Sequence, residues 1–173
     1  MEIDRICKLK PCDDETEIEL SGKAASRSKI LKDTMADYPE DKAIPLNTVK
    51  KATLLKIIEY LEHYKDKDPD VIEKPLKSKD FKSCVEDWAF NFIGDDNEEI
   101  LSLHLAANYL DIKSLIELTS AKLASKIKEN TTEKIRREFK ITALNNDEEK
   151  QLNEDKKIIL NEHKEEKEGK KAK

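Results

Sequence analysis

The chain has 173 residues, of which 41% are charged and 37% are hydrophobic, and its net charge is -5 at pH 7. A charged fraction this high predicts a hydrophobic core of modest size, and the apolar runs are too short for a membrane-spanning helix. Acidic and basic residues are interspersed without a basic stripe, so the composition does not favour nucleic-acid binding.

The N-terminus and the cysteines indicate the cellular compartment. The first ten residues, MEIDRICKLK, lack a basic region followed by an apolar block, so no signal peptide is expected. The chain has an odd number of cysteines, namely Cys7, Cys12 and Cys84. Without an export signal, this favours reduced thiols. We therefore expect a cytoplasmic and nuclear protein.

Alternating polar and apolar residues predict a β-hairpin at the start of the chain. The segments RICKLK and TEIEL alternate, with Ile6 and Leu9 as apolar residues of the first, and the turn-forming stretch PCDDE separates the two. SGKAASRSKILKDTMADYP then predicts one short helix. AIPL predicts a brief extended segment, because a residue before proline avoids the helical region.

The middle of the chain predicts a helix followed by a linker. NTVKKATLLKIIEYLEHY has a helical apolar face, and Asn47 or Thr48 is the expected N-cap. The charged segment from about residue 65 to residue 79 contains two prolines and little apolar surface, so we expect a mobile linker.

Further helices are predicted to follow the linker. DFKSCVEDWAFNFIG predicts one helix that ends at Gly94 and places Trp88 and Phe92 on one face. A helical pair comes next, capped by Asp96 or Asn97 in its first member and by Asp111 in its second.

The C-terminal end predicts two more helices and a tail. NTTEKIRREF predicts a short helix and NNDEEKQLNEDKKIIL a weakly apolar one, and the residues beyond 162 are expected to be disordered. Strands followed by helices to the end predict an α+β domain with a C-terminal helical extension.

The sequence contains no recognisable catalytic constellation. It has three glycines, no Gly-rich phosphate loop and no Gly-x-Ser-x-Gly elbow. Cys84 is expected to be a buried structural thiol, and His104 a hydrogen-bonded or surface histidine rather than a general base. The cysteine and histidine spacings do not match a zinc site. We therefore expect no enzyme activity, cofactor or metal.

One helix carries more apolar surface than a small core needs. Between residues 112 and 127 the apolar positions cover more than the stripe of about 100° that one buried face uses. Either both faces pack internally, or one face packs on the hairpin domain and the rest forms a groove for a helix of another chain. The weakly apolar last helix favours the second interpretation, because such an element suits ordering on binding.

Two long segments resemble the Skp family, the adaptor subunits of SCF-type ubiquitin ligases. They are AIPLNTVKKATLLKIIEYLEHYKDKDP and LHLAANYLDIKSLIELTSAKLASKIKENTTEKIRREFKI, within which LAANYLDIK is the most diagnostic stretch. The resemblance covers roughly residues 3 to 160. It implies a BTB/POZ-like fold and a non-catalytic adaptor that joins a cullin scaffold to F-box substrate receptors. It implies no small-molecule substrate, nucleic-acid partner or membrane association.

The resemblance also implies a division of the chain by function. Residues 1–128 correspond to a BTB/POZ-like cullin-binding domain that includes the mobile linker. Residues 129–162 correspond to F-box-binding helices, and residues 163–173 to a disordered charged tail.

Binding residues follow from the matched positions. Asn108 and Tyr109 match positions that face the cullin, and an amide beside a rigid amphipathic ring suits an interface. The residues that match the apolar F-box groove are Leu101, Ile116, Leu123, Ile127, Ile135, Phe139, Ile141 and Ile159.

The chain departs from the family pattern in its last helix. The usual EN-x-W element is replaced by DKKIIL, so that Ile158 and Ile159 stand where the tryptophan falls and offer less aromatic area. The alternatives are an elongin-C-like or other BTB interaction module, or a structural subunit outside the ubiquitin system. Continuation of the chain past Phe139 favours the Skp-type adaptor, because an elongin-C-like chain is expected to end near Ile127.

Overall fold

The fold is α+β, as the sequence predicts. The computed structural model describes residues 5–37, 39, 41–76, 78 and 80–141. Within them lie three strands, seven α-helices and one 3₁₀ turn. These elements are β1 (Ile6–Lys10), β2 (Ile18–Ser21), α1 (Gly22–Ala25), α2 (Lys29–Asp37), β3 (Ile44–Pro45), α3 (Lys51–His63), the 3₁₀ turn (Phe81–Cys84), α4 (Asp87–Ile93), α5 (Asn97–Tyr109), α6 (Lys113–Glu129) and α7 (Thr132–Glu138).

The chain divides between Thr131 and Thr132 into two compact units. The first holds the sheet and helices α1 to α6, and the second holds α7. The functional boundaries expected after residues 128 and 162 stay predictions. The predicted last helix and charged tail lie outside the described residues.

The predicted hairpin forms part of a three-stranded sheet with β1 at its centre. Strand β1 pairs antiparallel with β2, with Cys7 opposite Leu20, and pairs parallel with β3, with Leu9 opposite Ile44. Because strand residues alternate between faces, Cys7 and Leu9 share the buried face, while Ile6 is exposed. Burial raises the pKa of the Cys7 thiol to about 11, which keeps this group protonated at neutral pH.

The segment after β2 forms two helices rather than the single predicted one. Ser28 lies between α1 and α2 and is fully buried. Its hydroxyl donates to the Leu110 carbonyl at 2.5 Å and accepts from the Leu31 backbone N–H at 3.1 Å. This serine therefore starts α2 and ties it to the end of α5, a contact 82 residues away in the chain.

Helix α3 begins at Lys51, so the predicted caps Asn47 and Thr48 are wrong. Both residues are exposed and precede the helix. The Asp13 carboxylate instead accepts the free backbone N–H of Lys51 at 2.7 Å. A side chain from the loop between β1 and β2 thus caps the N-terminus of α3 in place of a residue next to the helix.

The region predicted as one helix before Gly94 is divided in two. Val85 is extended between the 3₁₀ turn and α4, and Gly94 ends α4 with φ of 63°, as expected for a terminating glycine. The prediction that Cys84 is buried is wrong. This residue is partly exposed, with its sulfur 3.6 Å from the Asp80 carbonyl oxygen.

The charged linker contributes to the core. Ile72 is buried and Leu76 packs against the core, so the expectation that this segment buries little apolar surface is wrong at these two positions. The mobility of residues 65–79 stays a prediction.

Helices α5 and α6 are joined by a tight turn. Asp96 caps α5 as predicted, since its carboxylate accepts the Glu99 backbone N–H at 2.8 Å. Asp111 does not cap α6. It adopts a left-handed conformation with φ of 49°, and its N–H donates to the Asn108 carbonyl at 3.2 Å.

Aromatic rings fill the space between α3 and α4. Trp88 and Phe92 stack at 5.0 Å, which confirms their predicted shared face, and His63 stacks on Trp88 at 3.6 Å. Tyr60 and Tyr64 are buried beside them. Burial raises the pKa of the Tyr60 hydroxyl to about 12.

Four carboxyl groups predict acid sensitivity of the fold. Each has a lowered pKa, chiefly because its carboxylate accepts a hydrogen bond from a lysine or tyrosine side chain; they are Asp14, Asp66, Glu86 and Asp95. A pKa lower in the folded than in the unfolded chain stabilises the fold above the unfolded value, near 4, and this is lost as pH falls. We expect the urea concentration at the unfolding midpoint to decrease as the pH is lowered from about 5 to about 2. A midpoint concentration that stays constant over this range contradicts the prediction.

Candidate protein-interaction surfaces

Three large side chains on α5 form an exposed stripe. Leu101, Leu105 and Tyr109 are 37%, 68% and 42% exposed. They follow a spacing of four residues, which places them along one side of a helix, and exposed Asn108 lies beside them. We call these four residues the α5 stripe. Exposed apolar side chains at helical spacing suit contact with another protein.

The opposite face of α5 holds this stripe in position. Its buried residues are Ile100, Leu103, Ala106, Ala107 and Leu110. At the end of the helix the buried side chains of Leu110 and Ile112 enclose the turn. The Asn108 carbonyl accepts the Asp111 N–H of that turn, and the side chains of Asn108 and Tyr109 are exposed.

Helix α6 buries one face and leaves part of its remaining apolar surface exposed. The inward face is buried and includes Leu115, Leu118, Thr119, Lys122 and Ser125. The outward residues Ile116 and Leu123 are half-buried and pack against the core, whereas Ile127 is 49% exposed. Only part of the extra apolar surface is therefore covered within the first unit.

The predicted F-box-binding residues lie on three different helices and in the residues that follow them. Leu101 lies on the α5 stripe with Tyr109, and Ile116, Leu123 and Ile127 lie on α6. In the second unit Ile135 and Phe139 are half-buried and Ile141 is exposed. Ile159 lies outside the described residues. The binding roles of these residues, and of Asn108 and Tyr109, stay predictions.

Leu105 is the exposed residue that the sequence analysis did not select. It is more exposed than Leu101 and Tyr109. Its spacing of four residues from both Leu101 and Tyr109 is visible in the sequence. Periodicity alone does not show which apolar side of a helix is covered, so exposure had to come from the structure.

A polar contact fixes α5 against α6. His104 Nδ1 lies 2.9 Å from Thr119 Oγ1, and the threonine hydroxyl donates to the Leu115 carbonyl at 2.8 Å. Because the hydroxyl hydrogen is used in that bond, the threonine oxygen accepts a hydrogen bond from Nδ1–H of the histidine. This confirms the prediction that His104 is a hydrogen-bonded histidine.

A buried lysine connects α6 to the turn before α5. Lys122 is 7% exposed, and its Nζ lies 2.9 Å from Asp95 Oδ1 and 5.1 Å from the centre of the Phe81 ring. Lys126 donates to the Asp95 backbone carbonyl at 2.6 Å. The hydrogen bond from Lys122 lowers the pKa of the Asp95 carboxyl.

The described residues contain no group of three or more His, Cys, Asp or Glu side chains that could hold a metal ion. None of their helices combines the length and apolar character needed to cross a membrane.

Comparison with known proteins identifies the family. Residues 5–66 match the family model described as Skp1 family, tetramerisation domain, and residues 113–158 match Skp1 family, dimerisation domain. The first is a POZ domain model, which confirms the predicted BTB/POZ-like fold.

Curated relatives support the same assignment. The chain is 42% identical over 125 residues to "S-phase kinase-associated protein 1 homolog" of Tetrahymena thermophila, covering 72% of this chain and 75% of the relative. It is 33% identical over 129 residues to "E3 ubiquitin ligase complex SCF subunit sconC" of Arthroderma otae, covering 74% and 78%. The protein of that name from Aspergillus terreus is also 33% identical, with coverage of 74% and 80%. The chain therefore belongs to the Skp1 family, as its sequence motifs predicted.

Proposed function

We propose that this chain is the adaptor subunit of an SCF-type cullin–RING ubiquitin ligase. In this role it joins a cullin to F-box substrate receptors and catalyses no reaction itself. Membership of the Skp1 family, with relatives named as SCF subunits, carries the proposal. The exposed apolar side chains on α5 and α6 support it, because an adaptor needs a separate binding surface for each partner.

We assign the α5 stripe to the cullin. Asn108 and Tyr109 match the family's cullin-facing positions, and Leu101 and Leu105 extend the same exposed side of the helix. The aromatic ring and the two leucines supply apolar area, and the amide supplies a donor and an acceptor. Leu101 matches the F-box groove of the family, and its place on this stripe also makes it a candidate contact of the cullin.

We assign the outward side of α6 to the F-box protein. Ile127 is 49% exposed, Leu123 lies four residues before it, and Ile116 lies seven residues before Leu123 on the same side of the helix. In the second unit, Ile135, Phe139 and Ile141 match further F-box-facing positions of the family, and so does Ile159. An amphipathic helix of the receptor is the kind of partner that such an apolar helix surface accepts.

We further propose that the protein acts in the cytoplasm and nucleus. The three cysteines have free thiols, which suits a reducing compartment. Fluorescent tagging of the full chain tests this location, and accumulation in the secretory pathway would contradict it.

A Tyr109→Ala variant tests the cullin surface. We expect about tenfold weaker binding to a cullin N-terminal fragment in calorimetry, because the variant loses an interfacial ring worth about 1–2 kcal/mol. F-box binding should be unchanged. Leu55→Ala on α3 is the control, since Leu55 is similarly exposed but lies on another helix. An equal loss of affinity for the cullin fragment and for the F-box domain would contradict the division of surfaces.

An Ile127→Ala variant tests the F-box surface. Removing this half-exposed side chain should weaken binding of an F-box domain about tenfold, through loss of buried apolar area, without affecting cullin binding. Ile30→Ala on α2 is the matched control, because Ile30 is 42% exposed. If the wild-type chain binds neither a cullin fragment nor an F-box domain, the proposed function is wrong.

A further inference from the structure

A second apolar depression lies beside the proposed F-box surface. Residues 72–76 run next to α6 and enclose a groove of about 410 Å³ with it. Its apolar lining comes from Ile72, Pro75 and Leu76 on one side and from Ala121 and Ala124 on the other. We call it the 72–76 groove. Its size and lining are within the range of sites that bind apolar groups.

The wall of the groove is held by specific contacts. Ile72 is buried in the core and Leu76 packs against it. Between them Lys74 forms an ion pair with Glu117 of α6 at 2.7 Å. On the α6 side Ala124 is exposed. Its side chain is a single methyl group, which leaves the groove open to a side chain from outside.

The groove continues from the surface assigned to the F-box protein. Ala124 is adjacent to Leu123 and lies three residues before Ile127, and Ser120 lies four residues after Ile116. Residues three and four apart are neighbours on a helix surface. A partner helix is about 10 Å wide, so a chain lying across Ile127 also passes beside this groove.

The charge at the end of the groove adds to its specificity. Lys128 lines it and has no ion-pair or hydrogen-bond partner in the part of the chain that the structure describes. A partner that places a carboxylate here gains a charge-assisted contact. The groove thus favours an apolar side chain close to an acidic residue.

We propose that the 72–76 groove binds an apolar side chain next to a carboxylate, supplied by the residues that flank the F-box in a substrate receptor. The proposal rests on the proposed function, since it extends the F-box surface to a second contact. It makes the affinity of a receptor depend on residues outside its F-box. Receptors with different flanking residues would then compete unequally for this adaptor.

The test compares two lengths of one receptor against the full-length chain. The probes are the isolated F-box and the F-box with its natural flanking residues, and the readout is the ratio of their dissociation constants in calorimetry. For the wild-type chain we expect the longer probe to bind about tenfold more tightly. In Ala124→Arg, which fills the groove with a residue of high helix propensity, the ratio should fall to about one.

Two further variants sharpen the result. Lys128→Glu should lower the ratio severalfold by opposing the carboxylate, while Ala52→Arg on α3, the same change at another exposed helical alanine, should leave it unchanged. A wild-type ratio of one, or a ratio unaffected by Ala124→Arg, overturns the proposal. The proposal is also overturned if the wild-type chain self-associates in sedimentation and Ala124→Arg abolishes this association. In that case a second copy of the chain occupies the 72–76 groove. Failure of both probes to bind the wild-type chain instead refutes the proposed function.

Discussion

A Leu105→Glu variant is expected to bind the cullin N-terminal fragment about 100-fold more weakly than the wild-type chain, with F-box binding unchanged. Leu105 lies between Leu101 and Tyr109 on the α5 stripe and is 68% exposed. The change removes apolar area at the centre of the proposed interface, where hot-spot residues concentrate. It also places a carboxylate where it loses water without gaining a partner. Together these effects reach about 2.7 kcal/mol.

The control for this variant separates loss of binding from loss of folding. Glutamate has high helix propensity and position 105 is exposed, so α5 should keep its structure. Leu55→Glu introduces the same charge at an exposed leucine of α3 and should bind the cullin fragment like the wild type. Calorimetry gives the affinities, and circular dichroism verifies the helix content. Wild-type affinity in Leu105→Glu would exclude the α5 stripe from the cullin interface.

The sequence predicts those elements whose signals are local. The hairpin, the helices that carry the long apolar patterns, the glycine that ends α4 and the Asp96 cap all depend on residues close together in the chain. The prediction that Asn47 or Thr48 caps α3 was wrong, because Asp13 from a distant loop caps this helix. The prediction that Asp111 caps α6 was wrong, because the tight turn before α6 holds Asp111 in a left-handed conformation.

Burial was harder to predict than secondary structure. Ile72 occurs in a charged, proline-containing segment, yet its side chain is buried in the core. Cys84 occurs in a segment with helical apolar spacing, yet a 3₁₀ turn leaves it partly exposed. Composition does not describe the packing that buries Ile72, and helical periodicity does not describe the 3₁₀ turn at Cys84.

The same limit applies to the candidate surfaces. Asn108 and Tyr109 were selected from a family motif, and the structure shows both at the surface. Leu105 was not selected, although it is more exposed than Leu101 and Tyr109 on the α5 stripe. The pattern identifies apolar positions, but only packing decides which of them a partner can reach.

The Lys122–Asp95 pair leads to a stability prediction. Asp95→Ala should lower the free energy of unfolding by about 1–2 kcal/mol at pH 7, because it leaves the buried Lys122 ammonium without its carboxylate. Full burial of both charges would make the loss larger. The Asp95 side chain is 83% exposed, so water partly screens the pair. Asp33→Ala, at an exposed α2 carboxylate, should have little effect.

A second substitution identifies the cause of that loss. Lys122→Met keeps an unbranched side chain near the Phe81 and Phe90 rings without the charge, and should change stability by less than about 1 kcal/mol. In the Lys122→Met background, Asp95→Ala should lower the free energy of unfolding much less than in the wild type, because no buried ammonium is left unpaired. Urea unfolding of the four proteins gives the coupling free energy. Equal costs of Asp95→Ala in both backgrounds would show that Asp95 acts through Lys126 or the turn itself, and not through Lys122.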